Sequence, residues 1–187
     1  MTHALVVIAA LESEIKANSL PSHIPIVYSG IGKINAAIAT FQAIQRYQPK
    51  LIINFGTVGK INPALSGLVT INKVIQRDIS AEPLAPRGIV PLSSKPNEFI
   101  TETHGYVCGT GDNFVTQHDP WLIEKGVDVV DMELFAIAAI AFEHNINWIA
   151  YKYISDAANE ASAHEWSTKV NHGEDLFLQE LKNHSNT

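Results

Sequence analysis

Several short apolar runs in this chain end in groups that can do acid–base chemistry or bind a small molecule. Glu12 and Glu14 follow the run Ala4 to Ala10, and Gly30, Gly32 and Lys33 follow Ile24 to Ser29. Gly56, Thr57 and Gly59 follow Leu51 to Phe55. Gly109, Gly111, Asp112, Asn113 and Phe114 follow Tyr106 to Cys108. Asp131 and Glu133 follow Val127 to Val130, and Ser155, Asp156 and Asn159 follow Trp148 to Ile154. Carboxylates on separate segments that meet in one pocket could divide the roles of general acid and general base. Each residue also has an ordinary structural reading. Glycines after strands serve tight turns. Glu12 with Glu14, and Asp131 with Glu133, suit the first turn of a helix, with Asp131 as an N-cap and Asp156 as a turn cap.

Other chemistries find less support. The SGIGKIN segment approaches a dinucleotide fingerprint, but Asn35 stands in place of the third glycine and no acidic residue follows about 20 positions on. The Walker pattern is absent. None of the eight histidines has metal-site spacing, so no metal and no cofactor is expected. The single cysteine, Cys108, lies inside an apolar run and reads as a small core residue rather than a nucleophile.

The runs must belong to elements that position these groups. Ala4–Ala10, Ile24–Ser29, Leu51–Phe55, Leu68–Ile75, Tyr106–Cys108, Val127–Val130 and Trp148–Ile154 read as strands, with a turn at Gly56–Gly59. From Ile34, apolar residues recur at Ala37, Ile38, Phe41 and Ile44, the one-face spacing of a helix that Pro49 ends. Further helices are expected over Met132–His144 and from about Trp166 to Asn183, the latter turning Trp166, Val170, Phe177 and Leu181 to the core. Strands alternating with helices predict an α/β fold, a mostly parallel mixed central sheet flanked by helices, in one domain spanning 1–187. Ligands in such sheets sit at the carboxyl ends of the strands. Ser80–Glu102 holds four of the nine prolines and reads as a long loop.

Composition removes several classes. With 46% hydrophobic residues the 187-residue chain is not disordered, and it has no apolar run near the length of a membrane span. The net charge of −6, without a Lys/Arg cluster, disfavours nucleic acid and anionic membranes as partners. One cysteine permits no internal disulfide. MTHALVVIAALESE lacks a basic leader and reads as a mature cytoplasmic start.

In combination the motifs are more specific. VVIAALESEI, SGIGKINAAIAT, IINFGTVGKI, CGTGDNFV, VVDMELFAIA and KYISDAANEAS, in that order, resemble the nucleoside phosphorylase/nucleosidase superfamily. Within it the resemblance is greatest to the 5'-methylthioadenosine/S-adenosylhomocysteine nucleosidases. It implies a three-layer sandwich of the nucleoside phosphorylase kind. It implies that Glu14 activates water and that Asp156, oriented by Ser155, protonates the departing purine. Glu133 would bind the ribose hydroxyls, Met132 would pack on the sugar, and Thr57 would lie near the ribose. Phe114 would stack on adenine and Val115 would bond its edge, while Leu11 and Ile31 would line the 5' end. It further implies a cytoplasmic homodimer active in methionine salvage, with a purine nucleoside as its small-molecule partner.

Cleaving an N-glycosidic bond fits these groups. Positive charge develops on the sugar and negative charge on the purine, so an acid must serve the base and a carboxylate must activate water on the other side. A phosphate nucleophile would need bidentate arginines. Arg46, Arg77 and Arg87 are the only arginines, and none matches the phosphorylase positions. Two alternatives remain: a phosphate-dependent purine nucleoside phosphorylase, and a catalytically silent nucleoside-binding homologue. Against the family pattern, Asp131 replaces a glutamate, Lys60 replaces a glycine, and the Asp78–Gly105 region looks shortened, which bears on substrate choice.

Overall fold

A computed structural model describes residues 3–160 and 162–185. Met1 and Thr2, on which the reading of the N-terminus partly rests, lie outside the described residues. Eight strands form one sheet: β1 (Leu5–Ala9), β2 (Ile26–Tyr28), β3 (Leu51–Lys60), β4 (Leu68–Gln76), β5 (Glu98–Ile100), β6 (Tyr106–Thr110), β7 (Val129–Asp131) and β8 (Asn147–Asp156). Their order is β2-β1-β3-β7-β6-β4-β5, with β8 pairing both β3 and β4. The helices are α1 (Lys33–Tyr47), α2 (Pro120–Glu124), α3 (Leu134–Glu143), α4 (Ser162–Lys169) and α5 (Glu174–Ser185). This is the expected mixed α/β sheet with helices on both faces.

The pairing explains the shape of the site. β8 runs parallel to β3 from Leu51↔Asn147 to Gly59↔Asp156, and antiparallel to β4 from Leu68↔Tyr153 to Ile71↔Ala150. β4 pairs with β6, β6 with β7, and β7 with the end of β3. The circuit β3-β8-β4-β6-β7 therefore closes on itself, and several strands deliver their carboxyl ends to one rim. On one face, α1 and α3 present small residues (Ala36, Ala43, Ala138, Ala141) to Ile8 and Ile52. On the other, α5 inserts Phe177 against Phe55, with ring centroids 4.4 Å apart. Burying apolar side chains in this way contributes about 1.5–3 kcal/mol for each large one.

α1 begins at Gly32, whose φ of +96° few side-chain-bearing residues adopt, and ends at Gln48, whose N–H donates to the Ile44 carbonyl. The structure differs from the sequence expectations in several places. The α1 residues Ile34, Ile38 and Phe41 are exposed, and the helix buries Ala36, Ala39, Thr40, Ala43 and Ile44 instead. Gly56–Gly59 is not a turn; β3 continues straight through it to Lys60. The last helix is two helices, Ser162–Lys169 and Glu174–Ser185; Gly173 in the turn between them lies where an added Cβ would meet Tyr153 Cβ at 2.5 Å, so only glycine fits there. Phe177 and Leu181 reach the core as expected, but Trp166 does not. Finally, β5 occupies the end of the proline-rich loop, pairing with β4.

Candidate active site

The carboxyl ends of the strands enclose one cavity lined by Glu14, Ile31, Thr57, Phe114, Val115, Met132, Glu133, Ser155 and Asp156, together with Val58, Gly59, Arg77, Asn113, Val130, Asp131 and Trp166. Nine of the ten expected site residues are thus brought together. Leu11 is the exception: it contributes its backbone N–H to Glu14 instead of a side chain to the wall.

Glu14 is 4% exposed and fixed by four donors. Its Oε2 accepts from the N–H groups of Ala10 (3.0 Å) and Leu11 (3.1 Å). Its Oε1 accepts from Thr57 N–H (2.9 Å) and the Thr57 hydroxyl (3.0 Å). The ordinary reading of Glu14 as a solvated helix-start residue therefore fails, since no helix begins there and the side chain points inward.

Asp156, 6% exposed, lines the same cavity. A register shift between β3 and β8 makes Ser155 an extra residue between the pairs Val58↔Ile154 and Gly59↔Asp156. Such a bulge re-aims side chains. The Ser155 hydroxyl donates to Asp156 Oδ2 at 2.8 Å and lies 3.3 Å from the Val58 carbonyl oxygen. Ala158 N–H donates to Asp156 Oδ1 at 3.0 Å.

The glycines of β3 make room for both acids. A Cβ at Gly59 would lie 2.7 Å from Asp156 Oδ1, and one at Gly56 would lie 3.3 Å from Glu14 Oε1. This is the close-approach use of glycine within a strand. The two positions are about 10 Å apart along β3, at about 3.3 Å per residue.

Glu133 also lines the cavity, where its Oε1 accepts from Gly32 N–H at 2.8 Å. Burial, followed by the nearby Asp131 charge, raises its carboxyl from 4.5 to about 7. Asp131 behaves oppositely. Burial alone would raise it, but the Lys152 ammonium at 2.7 Å outweighs that, with help from Thr110 Oγ1 and Leu134 N–H, and holds it below its ordinary value. The N-cap position of α3 is Glu133 rather than Asp131, as the helix starts at Leu134; Asp131 still accepts from Leu134 N–H and carries a buried ion pair as well.

Three residues of the site escaped sequence reasoning. Lys152 interrupts an apolar strand, and a buried lysine requires a partner, so its signal was present. Arg77 reaches the cavity from the end of β4. It donates through Nε to the Gly109 carbonyl, through Nη1 to Asn113 Oδ1, and through Nη2 to the Gly111 and Asn113 carbonyls. It thereby fixes the segment that carries Phe114. Trp166 on α4 donates its indole N–H to Thr57 Oγ1 at 2.9 Å, with its ring 6.4 Å from that of Phe114. Among the described residues no group of three His, Cys, Asp or Glu is placed to hold a metal ion, and no helix is long and apolar enough to cross a membrane.

Comparison with known proteins shows the family of the chain. Residues 22–183 match the Phosphorylase superfamily. The 5'-methylthioadenosine/S-adenosylhomocysteine nucleosidase of Staphylococcus haemolyticus is 30% identical over 166 residues, covering 77% of this chain and 72% of its own length. That of Bacillus cytotoxicus is 30% identical over 181 residues, covering 84% and 74%. In fold, the chain is similar to a Helicobacter pylori nucleosidase mutant bearing 5'-methylthioadenosine in its active site (TM-score 0.86, 18% identity, 100% and 99% of the two chains). It is equally similar to the futalosine hydrolase of the same organism (TM-score 0.86, 19% identity, 100% and 98%). The strand-end carboxylates, the closed sheet circuit and these matches place the chain in the phosphorylase superfamily, within the family of 5'-methylthioadenosine/S-adenosylhomocysteine nucleosidases.

Proposed function

We propose that this chain hydrolyses the N-glycosidic bond of an adenine nucleoside of the methylthioadenosine/adenosylhomocysteine type, releasing adenine. The observation that carries the reading is the placement of Glu14 and Asp156 in one cavity, each buried against a glycine of β3, the two glycines about 10 Å apart along the strand. A nucleoside with its base by Phe114 and Val115 and its ribose by Met132 and Glu133 spans that distance. Asp156 delivers a proton to N7 of the departing purine. Ser155 can turn its hydroxyl from Asp156 to the Val58 carbonyl, which frees Oδ2 to carry that proton. Glu14 orients a water toward the anomeric carbon and takes its proton as the carbon–oxygen bond forms and the carbon–nitrogen bond breaks. Each proton transfer is worth typically about 10²- to 10⁴-fold.

Water is favoured over phosphate as the nucleophile. A phosphate dianion on this side would face Glu14 and Glu133. The arginine of the cavity, Arg77, spends its donors on the Gly109–Asn113 segment. Arg87 is paired with Asp119 at 2.7 Å, outside the cavity.

The reading extends to a homodimer. Ile31, Ile34, Ile38 and Phe41 form an exposed apolar stripe at the start and along the outer face of α1, with Ile34 at 74% exposure, and Ile31 also lines the cavity. A second copy covering this stripe would approach the cavity mouth. In this reading the chain acts as one catalytic domain, in the cytoplasm and in methionine salvage.

The test is a nucleoside panel assayed for free base with and without phosphate. Adenine release from methylthioadenosine without phosphate, falling at least 10²-fold in Asp156→Asn, is expected. Strict phosphate dependence, or full activity in that variant, refutes the assignment.

A further inference from the structure

Trp166 touches neither carboxylate, yet its one hydrogen bond reaches the group that holds Glu14. The indole N–H can only donate, and a threonine hydroxyl has one proton and two lone pairs. Trp166 Nε1 lies 2.9 Å from Thr57 Oγ1, which lies 3.0 Å from Glu14 Oε1. With one lone pair of Oγ1 taken by the indole, the Thr57 proton is directed at Glu14. We propose that Trp166 is a positioning residue of the water-activating site, acting on Glu14 through the Thr57 hydroxyl.

The proposal rests on the reading of Glu14 as the water-activating carboxylate. A carboxylate offers about four lone-pair sites. Those of Glu14 are matched by three backbone N–H groups and this one hydroxyl. The backbone donors are fixed at the ends of β1 and in β3. The Thr57 hydroxyl is the only donor able to turn, and so the only one that can make way for water without moving the sheet. Trp166 fixes the oxygen about which that proton turns. The same helix also reaches the Asp156 segment. Glu165 Oε2 accepts from Ala157 N–H at 3.2 Å, and Ala158 N–H holds Asp156. A short helix thus bonds to Thr57, the partner of Glu14, and to Ala157, the residue between Asp156 and its donor Ala158.

Because Trp166 also lines the cavity beside Phe114, a packing role must be separated from a relay. Trp166→Phe keeps an aromatic ring and removes the N–H. In the wild-type background it should lower kcat about tenfold, the rate equivalent of one lost hydrogen bond, with KM changed less than twofold. In a Thr57→Val background the same change should cost less than twofold, and in a Thr57→Ser background, where the hydroxyl remains, the tenfold loss should return. Equal losses in all three backgrounds, or a loss carried by KM alone, overturn the proposal. A second readout needs no turnover. The indole ¹H–¹⁵N resonance lost in Trp166→Phe should exchange with solvent markedly faster in Thr57→Val than in wild type, and unchanged exchange refutes the bond. A wild-type protein that binds nucleoside without releasing base, yet shows this exchange behaviour, refutes the hydrolase reading and the catalytic role while leaving the Trp166–Thr57 bond standing. An active wild type with additive losses refutes the relay alone.

Discussion

Replacing Glu133 by glutamine tests the electrostatics of the cavity directly. Glu133 is buried, faces Asp131, and holds its proton up to about pH 7 in the folded chain against 4.5 ordinarily. Between those values the folded chain binds more protons than the unfolded one, so stability falls as pH rises through the window. The stabilising neutral form is fully present below pH 4.5 and its contribution is lost once pH passes about 7. The interval from 4.5 to about 7 corresponds to about 3 kcal/mol, at about 1.4 kcal/mol per pH unit. Glutamine keeps the shape and can keep the acceptor for Gly32 N–H. It does not ionise.

Thermal unfolding of the two unliganded proteins at pH 5 and pH 8 is the assay. Near pH 5 their Tm values should be similar. At pH 8 the glutamine variant should be more stable by on the order of 5–10 °C, from about 2–4 °C per kcal/mol in a domain of this size. Nucleoside binding should show the converse. Ribose hydroxyls donate to a carboxylate, so binding near pH 6 should release a proton, seen in calorimetry as an enthalpy that depends on the buffer. Glu133→Gln should lose that dependence and bind more weakly. A Tm gap independent of pH would mean that Glu133 is already ionised in the fold, and would refute the reasoning.

Gly59→Ala puts a methyl 2.7 Å from Asp156 Oδ1; base release should fall by tenfold or more while far-UV circular dichroism stays unchanged, and full activity would contradict the close approach. Lys152→Met strands the Asp131 carboxylate, so urea denaturation should show a loss of about 3–5 kcal/mol, much of it recovered in Lys152→Met/Asp131→Asn. Ile38→Glu charges the apolar stripe on α1; light scattering should show a shift from dimer to monomer, and an unchanged mass would place the interface elsewhere.

Particular residues show where sequence reasoning succeeded and where it stopped. The strands were legible because β1 and β3 are buried on both faces and so are continuously apolar. Gly56 and Gly59 misled because glycine commonly breaks strands, whereas here it clears space for Glu14 and Asp156. The last helix looked continuous because its apolar spacing survives the break before Glu174, and the approach of Tyr153 that demands glycine at 173 is a tertiary contact. Trp166 was assigned to the core by that spacing. Helical periodicity finds an apolar face but does not say what covers it: on α1 the face of Ile34, Ile38 and Phe41 is exposed, and Trp166 lines a cavity.

The sequence by itself determined the class of the fold and the order of the motifs, because those depend on local apolar pattern and on residue type, and its family resemblance singled out Glu14 and Asp156 as candidate acids. Tertiary structure decided the rest. It brought strand ends from across the chain to one rim, paired Lys152 with Asp131, set Glu133 at about 7 by burial, and joined Trp166 to Thr57 across 109 positions. Such properties depend on distance and desolvation, which only the folded chain fixes.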